Sequence, residues 1–221
     1  MAVKYSNQII RFDGLNVFME VLSSAFPIGK VQINFCSYDE KTHKQKNKLE
    51  IYLDMDRAMV LADDILSGRL DETIKNAKAT KTFEGKPVSN YTSYFIDMGG
   101  IVFNRNGKLD EARFNKYKTS YDWIVKDKAI SRQLKLQEST KYKYMLRAEY
   151  GLGNVNQTGL IVPEGNAKAY VQVPLTAENS YAFALAIKTH INAYWNQYYV
   201  KFGDKLFPSQ KCVVFEPNKQ N

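Results

Sequence analysis

The sequence predicts an α+β fold in which two antiparallel β-sheets are each followed by a helix. Two changes of hydrophobic period carry this expectation. Residues 49–55 alternate strictly, with Leu49, Ile51, Leu53 and Met55 on one face. The apolar positions then recur every three or four residues, at Ala58, Leu61, Ala62, Ile65 and Leu66. About 120 residues later the same change recurs, from Val171, Val173 and Leu175 to Tyr181, Ala184, Leu185, Ile191, Trp195 and Tyr198. A period of two is a strand with one apolar face, and a period near 3.6 is a helix with one apolar stripe. Strands followed by a covering helix, found twice, read as a duplicated supersecondary unit rather than a short-period solenoid.

The elements follow in order. Residues 31–38 read as a strand, 39–48 as a polar hairpin loop and 49–55 as the next strand. Asp56 is the expected N-cap of a helix that ends near Gly68. Residues 71–90 read as a polar, basic connector. Residues 94–98 and 101–103 read as strands broken by Gly99-Gly100, with a turn at Asn106-Gly107. Residues 108–138 leave two readings open, a helix lined by Phe114, Tyr117, Tyr121, Ile124 and Val125, or a long insertion. Residues 142–150 alternate as a strand, a Gly/Asn loop follows, and two short strands at 160–162 and 169–175 flank Pro163-Glu164-Gly165-Asn166. Thr176 is the N-cap candidate for a helix over 177–200. The expected organisation is a single domain, 1–221, built from repeats at about 28–70 and 90–200 with a basic insertion at about 105–141.

At 221 residues the chain buries roughly 70% of its unfolded surface, so neither disulfide nor metal is needed for stability. Cys36 and Cys212 lie in apolar, strand-like runs and are expected as two reduced, buried thiols. No run approaches the ~18 apolar residues of a membrane span. The start, Met1-Ala2-Val3-Lys4-Tyr5-Ser6-Asn7-Gln8, lacks the apolar core of a secretion signal. A cytoplasmic protein without a membrane partner is therefore expected.

Net charge is +8, and it is concentrated. Residues 105–147 carry 12 lysines and arginines against five acids, a net +7. A second compact run is Lys41-Thr42-His43-Lys44-Gln45-Lys46-Asn47-Lys48. Localised positive charge attracts a polyanion by steering and counterion release. The chain also has 15 tyrosines, whose flat rings suit base stacking.

The second joint, Tyr170-Val171-Gln172-Val173-Pro174-Leu175-Thr176-Ala177-Glu178-Asn179-Ser180-Tyr181-Ala182-Phe183, continued by Ile191-Asn192-Ala193-Tyr194-Trp195, resembles the Whirly family of single-stranded-DNA-binding proteins. The first joint, from Lys48-Leu49-Glu50-Ile51-Tyr52-Leu53 to Leu66-Ser67-Gly68, is similar to that family's first strand-to-helix turn. The resemblance spans roughly residues 28–200. It implies a duplicated ββββα unit, with two four-stranded sheets packed crosswise, a fold related to that of the positive-cofactor-four transcriptional coactivator. The family's Lys-Gly-Lys-Ala-Ala-Leu signature is reduced here to Gly29-Lys30 within Ile28-Gly29-Lys30-Val31-Gln32-Ile33. Plant members' organelle targeting has no counterpart, which fits a bacterial, phage or mobile-element relative better.

No catalytic constellation is visible, and neither a cofactor nor a metal is expected. His43 and His190 stand alone, no Cys/His cluster has zinc spacing, and no P-loop or nucleophile elbow occurs. Asp63-Asp64 are neighbours on a helix and face different sides. The expected function is non-enzymatic, sequence-tolerant binding of single-stranded DNA in replication, recombination or the DNA metabolism of a phage or mobile element. The candidate phosphate-binding residues are Lys30, Lys41, Lys44, Lys46, Lys48, Arg105, Lys108, Lys116, Lys118, Lys126, Lys128, Arg132, Lys141, Lys143 and Arg147. The candidate stacking rings are Trp123, Tyr142 and Tyr144, with Tyr117 and Tyr121 interleaved among the lysines. Assembly as a homo-oligomer is expected. RNA binding by the same platforms, or a protein-interaction or virion role without nucleic acid, are the alternatives.

Overall fold

The computed structural model describes residues 7–105 and 107–206. Expectations resting on residues 1–6, Asn106 and Cys212 lie outside the described residues, as does the side chain of Arg105.

The chain begins with β1 (Gln8–Gly14), β2 (Val17–Leu22), β3 (Lys30–Tyr38) and β4 (Gln45–Asp54), an antiparallel sheet in that spatial order. Two helices follow, α1 (Met55–Leu66) and α2 (Arg69–Thr80), then a small hairpin of β5 (Thr82–Phe83) and β6 (Lys86–Pro87). Next come β7 (Ser93–Ile101), a second small hairpin of β8 (Asn104–Arg105) and β9 (Lys108–Leu109), and α3 (Glu111–Ser120). Then β10 (Ala129–Glu138), β11 (Tyr144–Val155) and β12 (Ile161–Leu175) complete a second four-stranded antiparallel sheet, ordered β12-β11-β10-β7. α4 (Ala177–Leu206) is the last described element.

The fold is thus α+β with antiparallel sheets, as the periodicities predict. The two halves differ in their helices: two of 12 residues follow the first sheet and one of 30 residues follows the second. Only the second sheet has a helix inserted between its first and second strands in sequence.

Strand alternation builds the core. In the first sheet Phe12, Met19, Phe35 and Leu49 are aligned across four strands, and Val21, Ile33 and Ile51 form the next row. Leu136, Leu146 and Val173 do the same in the second sheet. β12 runs against β2, β3 and β4, so the two apolar faces close on each other, and α1 lies along α4, where Lys188 pairs with Asp63. Each such side chain contributes about 1.5–3 kcal/mol when fully buried.

Several boundaries differ from the sequence expectations, each for a physical reason. β1 and β2 were not expected, because Phe18 breaks the alternation; it lies on the opposite face from Met19, covered by the Arg11 guanidinium at 3.9 Å and Tyr38 at 6.0 Å. The first half of the connector expected at 71–90 belongs to α2, whose apolar stripe is only Leu70, Ile74 and Ala77. The capping position of α1 is Asp54 rather than Asp56, whose carboxylate accepts only from the adjacent Arg57 N–H. β7 runs unbroken through Gly99-Gly100. Residues 129–138 belong to no insertion: they are β10, hydrogen-bonded on both sides. Residues 161–175 form one strand with an irregularity opposite Gly151, where Gly165 takes φ +69°. Thr176 does cap α4, accepting from Asn179 N–H at 3.1 Å.

Candidate nucleic-acid interface

α3 begins at Asp110, whose side chain accepts from Arg113 N–H at 3.0 Å. Its one buried apolar residue, Phe114, packs edge-on against Phe103 at 5.4 Å, and Lys126 lies 5.8 Å from the Phe114 ring. At the far end Lys118 donates to the carbonyl oxygens of Asp122 and Ile124, closing the turn. Tyr121 then donates to the Lys48 carbonyl at 2.5 Å and contacts the half-buried Trp123 at 5.6 Å. These contacts fasten α3 beside β4.

β4 is an edge strand, and its outward backbone groups are closed by side chains of the second sheet. Tyr150 Oη donates to the Glu50 carbonyl at 2.6 Å and accepts from Glu50 N–H at 2.8 Å. Arg132 donates to the carbonyls of Glu50 and Gly100 and lies 5.2 Å from the Tyr52 ring. A buried edge left unpaired would cost free energy and invite other chains to pair with it.

Between the outer side of β4 and α3 lies a cleft of about 380 Å³, walled by Lys46, Lys48 and Glu50 on one side and by Lys116, Tyr117 and Tyr121 on the other, with Tyr150 at its base. Lys48 is 3.3 Å from Glu50, the single carboxylate among the lining residues. Among the described residues Lys46 and Lys116 make no ion pair within 4 Å, although Lys46 is near enough for its charge to help hold Asp39 ionised. Burial drives the Tyr121 phenol far above its ordinary value and raises Tyr52 as well, so both rings are neutral at physiological pH. At the hairpin tip, Asp39 accepts from Thr42 and Lys41 backbone N–H groups; these bonds, Thr42's first, hold its carboxyl below the usual range. Lys41 and Lys44 are exposed there.

The cleft brings the two basic runs together, but it gathers only part of the candidate set. Lys30 pairs with Asp54 at 2.5 Å, at the opposite end of β4. Lys108 borders a separate hollow of about 250 Å³ with Arg113. Lys128 bonds Glu164 and Asn154, both at 2.9 Å. Lys118 and Arg132 are used in backbone capping. Lys141 lies 5.6 Å from the Tyr142 ring, both at the turn between β10 and β11. Lys143 pairs with Asp71 of α2 at 2.6 Å, and Tyr144 donates to the same carboxylate at 2.7 Å. Tyr144 is 1% exposed and presents no ring to a base, which corrects its place in the candidate set. Arg147 belongs to the opposite face of the second sheet.

Sequence reasoning missed the ring of Tyr170, 52% exposed, and the ion cluster Lys135–Glu149–Arg147. The signal was present: Lys135, Arg147 and Glu149 have the parity opposite to Leu134, Leu136 and Leu146. His43 and His190 are exposed, and among the described residues no His/Cys/Asp/Glu group could hold a metal ion. No described helix is long and apolar enough to cross a membrane. Compared with known proteins, the chain matches no family model and no curated relative.

Proposed function

We propose that this chain binds single-stranded DNA, gripping the backbone in the cleft between β4 and α3. The observation that carries the reading is the meeting of Lys46 and Lys48 with Lys116 across one hollow, two of the three without an ion pair among the described residues. Phosphates drawn there release counterions, which makes the affinity salt-dependent. Tyr117 and Tyr121 form the opposite wall, flat apolar flanks against which the sugars of an unpaired strand can lie while its bases turn outward.

Two four-stranded sheets, each leading into a helix, support a Whirly-like ββββα arrangement. The function is binding rather than catalysis, in replication, recombination or the metabolism of mobile DNA. Assembly as a homo-oligomer belongs to the same proposal. It is supported by Tyr181, Leu185, Trp195 and Tyr199, all exposed along α4. The free, buried thiol of Cys36 fits a reducing compartment such as the cytoplasm.

The test is fluorescence anisotropy with a labelled oligo-dT, an RNA of equal length and the matching duplex, at several salt concentrations. The expected result is preference for the DNA single strand and weakening with salt. Equal affinity for duplex, or no salt dependence, overturns the proposal, and preference for RNA replaces DNA as the ligand.

A further inference from the structure

The outer face of the second sheet carries a different chemistry from the cleft. Pairing sets Lys135 opposite Arg147 and Gln133 opposite Glu149. On β12, Gln172 lies opposite Arg147 and Tyr170 opposite Glu149. β7 adds Ile96 and Met98 beside Lys135 and Gln133. All have the parity opposite to the core residues, and Met98 and Tyr170 are among the most exposed large apolar side chains of the sheet.

Two hollows, of about 670 and 340 Å³, open on this face, and Arg147 borders both. The smaller is floored by Ser131 and Gly151, walled on one side by the β12 irregularity at Gly165 and Asn166, and on the other by Tyr170. Glu149 is buried between Lys135 Nζ and Arg147 Nε, each 2.5 Å from a carboxylate oxygen. Arg147 Nε is close enough to pair in charge but out of line for a hydrogen bond. The cluster therefore carries only one net positive charge. The Arg147 guanidinium lies over the Tyr170 ring, 4.1 Å from its centroid, and the residue stays about half exposed. The amides of Gln133 and Gln172 have no partner among the described residues.

We infer that this face is a platform for an unpaired nucleobase. A base stacks on the exposed part of the Tyr170 ring within the smaller hollow, and Arg147 and Gln133 supply hydrogen bonds to its edge, with Gln172 in the adjoining larger hollow. The low net charge is unsuited to holding phosphate, while a braced ring with donors and acceptors around it suits a flat heterocycle. Tyr150 borders both this hollow and the cationic cleft, so the two sites lie on opposite sides of β11. One would take bases and the other backbone. The inference rests on the single-strand reading.

The test compares labelled oligo-dT with an abasic deoxyribose-phosphate oligomer of equal length and charge, using the full chain and its Tyr170→Ala and Tyr170→Phe variants. The wild type should prefer oligo-dT by roughly tenfold or more, the scale of one stacked base. Tyr170→Ala should abolish that preference with an unchanged salt slope, and Tyr170→Phe should keep it. Equal binding of the two oligomers by the wild type overturns the platform and leaves the cleft intact, as does a Tyr170→Ala variant that weakens both equally. Failure to bind either oligomer overturns the platform together with the single-strand reading.

Discussion

The phenol of Tyr150 satisfies both backbone groups of Glu50, donating to its carbonyl at 2.6 Å and accepting from its N–H at 2.8 Å. One side chain thereby closes the free edge of the first sheet and ties it to the second. Tyr150→Phe keeps the ring and removes both bonds, leaving a buried N–H without a partner. A loss of about 2–3 kcal/mol is expected, read from the urea midpoint at unchanged slope. A loss below about 0.5 kcal/mol would show that water or a backbone shift replaces the phenol.

Burial raises the phenols of Tyr121, Tyr144 and Tyr150, the last to about 12, and raises the Cys36 thiol. The unfolded chain ionises these phenols near pH 10, while the folded chain keeps them neutral. Between pH 10 and 12 the unfolded state therefore binds fewer protons, and stability falls as pH rises. For Tyr150 the fall is about 1.4 kcal/mol per pH unit across that window, and below pH 10 the three phenols contribute no pH dependence. Urea midpoints from pH 8 to 12 check this. A flat profile through pH 12 contradicts it.

Tyr144 and Lys143 both bond Asp71, and their expected contribution is to stability. Burial works to raise the Asp71 carboxyl, but the hydrogen bonds from Lys143 and Tyr144 outweigh it and hold the group below its ordinary value. Tyr144→Phe should cost about 1–2 kcal/mol of stability and leave oligonucleotide affinity within about twofold. A fivefold affinity loss in a variant of normal stability would return Tyr144 to the binding surface.

Two adjacent glycines should respond oppositely to alanine. A Cβ on Gly100 would come 2.3 Å from the Ile130 carbonyl oxygen and 2.4 Å from Ile161 Cδ1, whereas one on Gly99 meets nothing within 4 Å. Gly100→Ala should destabilise by at least about 2 kcal/mol and Gly99→Ala by less than about 0.5 kcal/mol. Thermal melts of the pair decide it, and equal melting temperatures would contradict the close approach of β10.

Much of this architecture was legible from periodicity alone. The joints at Leu53 and Leu175 are visible because one apolar face switches to one apolar stripe, and Thr176 sits where a cap is needed. β2 and α2 were hidden because Phe18 is buried on the unexpected face and α2 has only three buried apolar residues. β10 is obscured by charges: Lys135 and Arg132 crowd its sequence, yet Lys135 lies along the outer face and Arg132 donates to the Glu50 carbonyl at the other sheet's edge and to the Gly100 carbonyl of its own sheet. For the candidate site, composition located the cations but not their partners. Lys30, Lys128 and Lys143 look like Lys46 in sequence, and only the fold sets a carboxylate beside each of the first three.

The backbone cleft is tested most directly by the salt dependence of oligo-dT binding in the Lys46→Ala/Lys116→Ala double variant. Each phosphate contact on a single strand contributes about 0.7 to the slope of log affinity against log salt. Loss of two contacts should make the slope shallower by about 1.4, while Lys143→Ala leaves it unchanged. A double variant with the wild-type slope would contradict the cleft as the place where the strand is held.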